Sequence, residues 1–162
     1  MSAAAPAEID GRTRAMQAWR DLLVALPETA PRQLRLVDAD FVDWPFGDAA
    51  VLQALTQWIR LPGRRMTWIA ADFEAVERRF PRLAAWRRDF AHGVEAFRPA
   101  EGERVEWPSW LLADRDAVVL DDPPRRRGRI VTEPARLREL HDATDALLQR
   151  CEPAWPATVL GL

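Results

Sequence analysis

Trp107-Pro-Ser-Trp-Leu-Leu-Ala-Asp-Arg-Asp-Ala-Val-Val-Leu-Asp121-Asp122 is the most strand-like run in the chain, and its reading decides the fold. Ser109 to Ala113 and Ala117 to Leu120 are short apolar segments of strand length, and the polar triplet Asp114-Arg115-Asp116 between them reads as a tight hairpin. Arg104 to Trp107 is a further strand candidate just upstream. Downstream, Pro123-Pro-Arg-Arg-Arg-Gly128 is too polar and too proline-rich for a strand, and Arg129 to Thr132 is expected to return to the sheet.

Working outward toward the N-terminus, the pattern changes from period two to helical period. Gln33 to Val37 is a strand whose carboxyl end is crowded by Asp38, Asp40 and Asp43. Asp48 can N-cap a helix with Val51, Leu52, Leu55, Trp58 and Ile59 on one stripe, which Pro62-Gly63 stops. Arg65 to Ala70 is the next strand. A strand, a helix of about 12 residues and a second strand form the pattern of a right-handed crossover in a parallel sheet. Asp72 opens a third helical region running to Ala91 and interrupted near Pro81, with Arg78, Arg79, Arg82, Arg87 and Arg88 on its polar face. Val94 to Phe97 is a third strand. Ile9 to Leu26 predicts an added N-terminal amphipathic helix through Ala15, Met16, Trp19, Leu22 and Leu23, preceded by a small, mobile tail. Pro134 suits the first turn of a closing helix carrying Leu137, Leu140, Thr144, Leu147 and Leu148, after which Val159 to Leu162 is apolar enough to dock on the body.

These elements predict an α/β protein with a mixed, largely parallel sheet flanked by helices. Residues 1–31 read as a flexible tail and N-terminal helix, and residues 32–162 as one α/β domain. A length of 162 residues with 48% hydrophobic and 30% charged side chains supports both a core and a soluble surface. The formal net charge of −2 gives no global attraction to nucleic acid or anionic membrane, so nucleic acid is not an expected partner. Every basic side chain apart from the two histidines is Arg. Lysine-based chemistry, such as a Schiff base or a P-loop phosphate clamp, is therefore excluded. Cys151 is the only cysteine, which rules out an internal disulfide and a multi-thiolate zinc site. No basic segment followed by an apolar run opens the chain and no stretch reaches membrane-span length, so the expected location is cytoplasmic.

The order of two crossover units, a hairpin and a closing helix resembles one half of a phospholipase D-like domain over Gln33 to Arg150. The resemblance rests on a strand that carries H-x-K-x-x-x-x-D in that superfamily, where two motifs meet across a twofold axis. In this chain Trp107 stands at the His position, Ser109 at the Lys position and Asp114 at the Asp position. Only the carboxylate is retained, and Trp107 can act neither as a nitrogen nucleophile nor as a proton donor pair. The resemblance thus implies the fold and a pairing surface, hence a homodimer or a partner protein, without the catalysis. The chain also resembles a group of small uncharacterised bacterial domains through Asp43-Trp-Pro-Phe46, Phe80-Pro-Arg-Leu83 and the Leu-Gly-Leu end.

A second resemblance, to haloacid dehalogenase-like phosphatases, rests on Leu34-Arg-Leu-Val-Asp38-Ala-Asp40-Phe-Val42 and on the apolar run ending in Asp121 and Asp122. It implies a Mg²⁺-dependent phosphohydrolase with Asp38 as nucleophile and Asp40 as acid/base. The phosphate-holding Lys of that family is impossible here, so Arg65 or Arg87 would have to replace it, and Ala70-Ala71 stand where Ser or Thr is placed. His92 and His141 lie in different elements without ligand spacing. Arg125, Arg126, Arg127 and Arg129 form the densest basic cluster and could hold a phosphate by bidentate contacts. Among the tryptophans, Trp107, Trp110 and Trp155 fall outside the helical stripes, and one of them facing solvent would mark a self-association surface.

The expectation is therefore a non-catalytic interaction or ligand-binding module without metal or cofactor. Its candidate ligand-binding residues are Trp107, Ser109, Asp114, Arg125, Arg126 and Arg127. The alternative enzyme would use Mg²⁺ with Asp38, Asp40, Asp121 and Asp122.

Overall fold

The computed structural model describes residues 8–157. Most of the expected N-terminal tail and the Val159 to Leu162 end lie outside the described residues. β2 (Gln33–Val37) is central, and its two neighbours set the character of the two halves of the sheet. On one side β3 (Arg65–Ile69) and β4 (Val94–Pro99) run parallel to it. α3 (Ala49–Ile59) makes the first crossover, and α4 (Glu74–Arg79) with α5 (Pro81–Asp89) makes the second. On the other side β5 (Ser109–Leu112), β6 (Ala117–Asp122) and β7 (Arg127–Val131) follow as an antiparallel meander. The three-residue strands β1 (Glu8–Asp10) and β8 (Cys151–Pro153) close the two edges, giving the order β1-β7-β6-β5-β2-β3-β4-β8.

Only the β2/β3 and β3/β4 junctions are parallel; the other five are antiparallel. The expectation of a largely parallel sheet is corrected on this point. A parallel neighbour needs a crossover with room for a helix, and the chain provides two; the short turns from β5 to β6 and from β6 to β7 can only return antiparallel. The architecture is α/β with flanking helices, and it does not by itself establish a phospholipase D-like fold.

Side chains alternate across the sheet and divide the core in two. Leu34, Leu36, Met66, Trp68, Leu111 and Val118 belong to the larger core, packed with Trp19 and Leu23 of α1 (Arg12–Val24), Leu55 and Trp58 of α3, and Leu83 of α5. Val37, Ile69, Trp110, Leu112 and Val119 face the other way, under Leu137, Leu140 and Leu147 of α6 (Pro134–Leu148). α1 begins later than the periodicity predicts, because Ile9 pairs in β1 and Gly11, at φ 94°, turns the chain into the helix. The short α2 (Leu26–Thr29) follows α1. As read from sequence, Asp48 caps α3, its side chain accepting from the Ala50 N–H at 2.8 Å, a contact worth about 1 kcal/mol. The helical region after Asp72 breaks at Phe80-Pro81 into α4 and α5.

Two differences have simple causes. Arg104 to Trp107 forms no strand; Val105 and Trp107 instead pack as an irregular segment against the smaller core. β1 and β8 escape sequence reading because three residues carry no periodicity. Gly128 sits where β7 crosses β6 so closely that a Cβ would lie 1.8 Å from the Val119 carbonyl oxygen, beside an irregular register at Leu120/Asp122. That close approach requires glycine.

Candidate functional site

The carboxyl ends of β2 to β4 form one edge of the sheet, called the upper edge here. Asp38 follows the last residue of β2 there, level with Ser109 at the start of β5. Its Oδ2 accepts the N–H groups of Phe41 at 2.8 Å and Asp40 at 3.2 Å, holding the loop in a turn in which Phe41 adopts φ 60°. Burial pushes the Asp38 carboxyl above the usual carboxylate range. The Phe41 and Asp40 N–H groups pull it part of the way back, as do the dipoles of Ser109 and Trp44. Ser109 Oγ and Trp44 Nε1 nevertheless complete no hydrogen bond of normal geometry. Around them lie Trp19 stacked on Trp44 at 4.6 Å, Phe41 edge-on to Trp68 at 4.9 Å, and Phe46, all buried. Asp40 accepts the Val42 N–H at 3.2 Å. Both acids of the D-x-D pattern thus organise their own loop. Among the described residues no three acidic, His or Cys side chains converge as metal ligands.

The arginine-rich turn after β6 lies at the same edge, and each cation has its own carboxylate. Arg125 pairs with Asp122 at 3.1 Å, Arg127 with Asp10 at 3.2 Å and Arg129 with Asp121 at 3.1 Å. Arg126 pairs with Asp43, which Arg12 also approaches at 3.6 Å. The cluster that is densest in sequence is therefore neutralised pair by pair in space. Neither substitute clamp serves Asp38: Arg65 begins β3 at the opposite edge, and Arg87 is 6% exposed, donating to the Trp155 carbonyl at 3.2 Å. Arg87 thus leaves the polar face of α5 on which the sequence places it. Burial lowers its pKa.

The lower edge is open. Arg32 precedes β2, Arg64 precedes β3, and the turn Asp114 to Asp116 joins β5 to β6. Together they line a cleft of about 610 Å³. Asp114 accepts the Arg32 N–H at 2.8 Å, which ties the turn to β2. Arg64 donates to the carbonyls of Pro62 at 2.7 Å and Ala30 at 3.0 Å, so its guanidinium is held by neutral acceptors. Asp114, Arg115 and Thr132 also form the wall of a second cavity of about 490 Å³, continued by Pro134, Leu137, Arg138 and His141. None of Arg32, Arg64, Arg115 and Arg138 lies within ion-pair distance of a described carboxylate. The acids of the first cavity are Glu28, Asp114 and Asp116. Burial pushes the Asp116 carboxyl up, toward its neutral form. His141 is pushed down by burial first and by Arg35 second, which favours neutral imidazole.

Asp38 and Asp114 therefore do not share a cleft. They stand at opposite ends of β2, roughly 20 Å apart at about 3.3 Å per residue. The upper edge gathers Asp38, Asp40, Ser109, Asp121, Asp122, Arg125, Arg126 and Arg127, with Trp107 just before β5; of the expected ligand-binding residues Asp114 lies in the lower groove, and Arg127 lines a separate cavity of about 760 Å³ with its partner Asp10 and the pair Asp121–Arg129. Sequence reading missed Arg32, Arg64, Arg115, Asp116, Arg138 and His141 as a group. They come from four separate places in the chain, before β2, before β3, the β5–β6 turn and α6, and no local pattern joins these. Seven tryptophans are buried, and Trp107, partly buried, packs against the smaller core.

No family model and no curated protein matches the chain. Among solved structures it is similar to TrmBL2, an archaeal chromatin protein whose structure is described as showing a novel mode of DNA binding. The TM-score is 0.60 at 11% identity, covering 94% of this chain and 54% of that one, so the chain spans about half the length of TrmBL2. That likeness concerns the fold. It nevertheless overturns the exclusion of nucleic acid drawn from net charge, since a DNA-binding protein carries this architecture. The physical reason is local: a net charge of −2 averages over paired arginines at one edge and unpaired ones at the other. No helix among the described residues is long and apolar enough to cross a membrane.

Proposed function

We propose that the chain is a non-catalytic binding module that receives a phosphate-bearing ligand, nucleic acid included, in the groove at the lower edge of the sheet. One observation carries the reading: Arg32, Arg64 and Arg115 line one open cavity, Arg115 and Arg138 line a second that shares Asp114, Arg115 and Thr132 with it, and none of the four arginines is within ion-pair distance of a described carboxylate, although Glu28, Asp114 and Asp116 also line the first. Guanidinium groups present forked N–H donors that match phosphate oxygens, and Arg64 is already oriented by two carbonyls. TrmBL2, which binds DNA, shares the fold and so adds support. The test is anisotropy of a labelled short oligonucleotide against the wild type and an Arg32→Ala/Arg115→Ala variant. The expected result is salt-sensitive binding that the variant weakens at least about tenfold, or 1.4 kcal/mol. Equal binding by the variant, or none by the wild type at low salt, overturns the proposal.

A second reading, Mg²⁺-dependent phosphate-ester hydrolysis by Asp38 and Asp40, is favoured by the raised Asp38 pKa at the carboxyl end of a central strand. The hydrogen bonds of both acids to their own loop weigh against it. Mg²⁺-dependent phosphatase activity lost in Asp38→Asn would establish it and displace the non-catalytic reading.

A further inference from the structure

The two cavities of the lower edge differ in chemistry although they share a wall. The first is lined by Arg32, Arg64 and Arg115 together with Glu28, Asp114 and Asp116. The second lies against the start of α6, where the Pro134 ring, the Leu137 side chain, the stem of Arg138 and the His141 imidazole present mostly carbon. Asp114, Arg115 and Thr132 belong to both, and so mark the junction. Each volume, about 610 Å³ and about 490 Å³, falls within the size of small-ligand sites, about 300–1,000 Å³.

We infer that the groove takes a single nucleoside phosphate unit, its phosphate among Arg32, Arg64 and Arg115 and its base in the cavity beside Leu137 and His141. This rests on the phosphate-binding reading above and adds the second half of the ligand. A bare phosphate would leave the carbon-lined cavity wet, whereas a planar base would bury it. His141, which lines this cavity, offers a flat ring for stacking. The neutral imidazole that burial favours costs less to cover with a base than an imidazolium would. Thr132 and Asp114, which line both cavities, carry the hydroxyl and carboxylate oxygens that would bond a sugar hydroxyl, Asp114 Oδ2 being engaged by the Arg32 N–H. The unit can be a free nucleotide or the terminal nucleotide of a strand, since both present the same phosphate, sugar and base.

The experiment is titration calorimetry of the whole chain with pyrophosphate, ribose 5-phosphate, adenosine monophosphate and a 5′-phosphorylated oligonucleotide. Adenosine monophosphate is expected to bind at least about tenfold more tightly than ribose 5-phosphate, the margin of one stacked base. A free nucleotide as the natural ligand predicts that the oligonucleotide is no tighter than the mononucleotide; a strand end predicts that it is tighter. Two variants assign the halves. His141→Ala keeps the backbone carbonyl that Arg35 uses, and Thr132→Trp places bulk at an exposed junction residue. His141→Ala should weaken the mononucleotide at least about fivefold while leaving pyrophosphate unchanged, whereas Thr132→Trp, at a residue that lines both cavities, should weaken both ligands. Pyrophosphate binding with no gain from the base overturns this inference and leaves the phosphate reading standing. Failure of all four ligands to bind overturns both.

Discussion

The two edges of the sheet carry similar residues and put them to opposite uses. At the upper edge, acids and arginines are close in sequence and closed on one another: Asp38 holds its own loop, and Arg125, Arg126, Arg127 and Arg129 each meet a carboxylate. At the lower edge, arginines from four separate elements gather around a groove with no such partners. What separates them is geometric. The long, aromatic loop after β2 folds back over the upper edge, burying Phe41, Trp44 and Phe46, whereas short turns leave the lower edge uncovered. Motif density therefore marks the edge closed on itself, and dispersed residues line the open one.

The largest effect that can break this contrast is at Gly128. A Cβ there would strike the Val119 carbonyl at 1.8 Å, and backbone cannot yield as a side-chain tip can. Gly128→Ala should lose roughly 5 kcal/mol or more, read as a lower urea midpoint. Next, Trp44→Ala removes a ring 1% exposed that stacks on Trp19 and Phe46, and should cost about 3–5 kcal/mol in the same assay.

The pH dependence sharpens the comparison, because both edges hold a carboxyl raised by burial, Asp38 above and Asp116 below. A raised acid contributes stability that is fully present below its unfolded pKa, about 3.9, and is lost as pH rises through the folded value. Asp48 behaves oppositely: the hydrogen bond from Arg20 lowers it, so its contribution is present above about 3.9 and lost as pH falls through its folded value. Thermal melts against pH should show Asp38→Asn and Asp116→Asn each flattening the decline above about pH 4. Asp48→Asn should flatten the acid limb instead. An unchanged profile in Asp38→Asn would show that its carboxyl is not desolvated.

The smallest effects on stability are expected at the arginines themselves. Arg127→Ala breaks an exposed pair with Asp10 and should change stability by under about 1 kcal/mol. Arg32→Ala and Arg115→Ala should stay within about 0.5 kcal/mol, since no ion pair is lost, while ligand binding falls. Loss of binding in Arg127→Ala, with none in Arg115→Ala, would reverse the assignment of the two edges.

Most elements were legible because their signals are local. The stripe Val51, Leu55 and Trp58, with Asp48 before it and Pro62-Gly63 after it, defines α3, and the apolar runs of β2, β3, β5 and β6 appear where alternation or length predicts them. The candidate site was far less legible. Asp114 was singled out, but through a motif whose other members, Trp107 and Ser109, stand at the far end of β5. Arg87 shows the limit of periodicity: its place among Arg82 and Arg88 suggests a solvated face, yet Trp155, from beyond β8, covers it.

The sequence by itself determined the alternation of strands and helices, the hairpin at Asp114-Arg115-Asp116, and the exclusion of lysine and disulfide chemistry, since each depends on residue type or on neighbours along the chain. Only the tertiary structure decided the mostly antiparallel order of the sheet and the pairing of charges, because both depend on which distant segments meet. Arg32, Arg64, Arg115 and Arg138 become one surface when β2, β3, the β5–β6 turn and α6 are laid side by side.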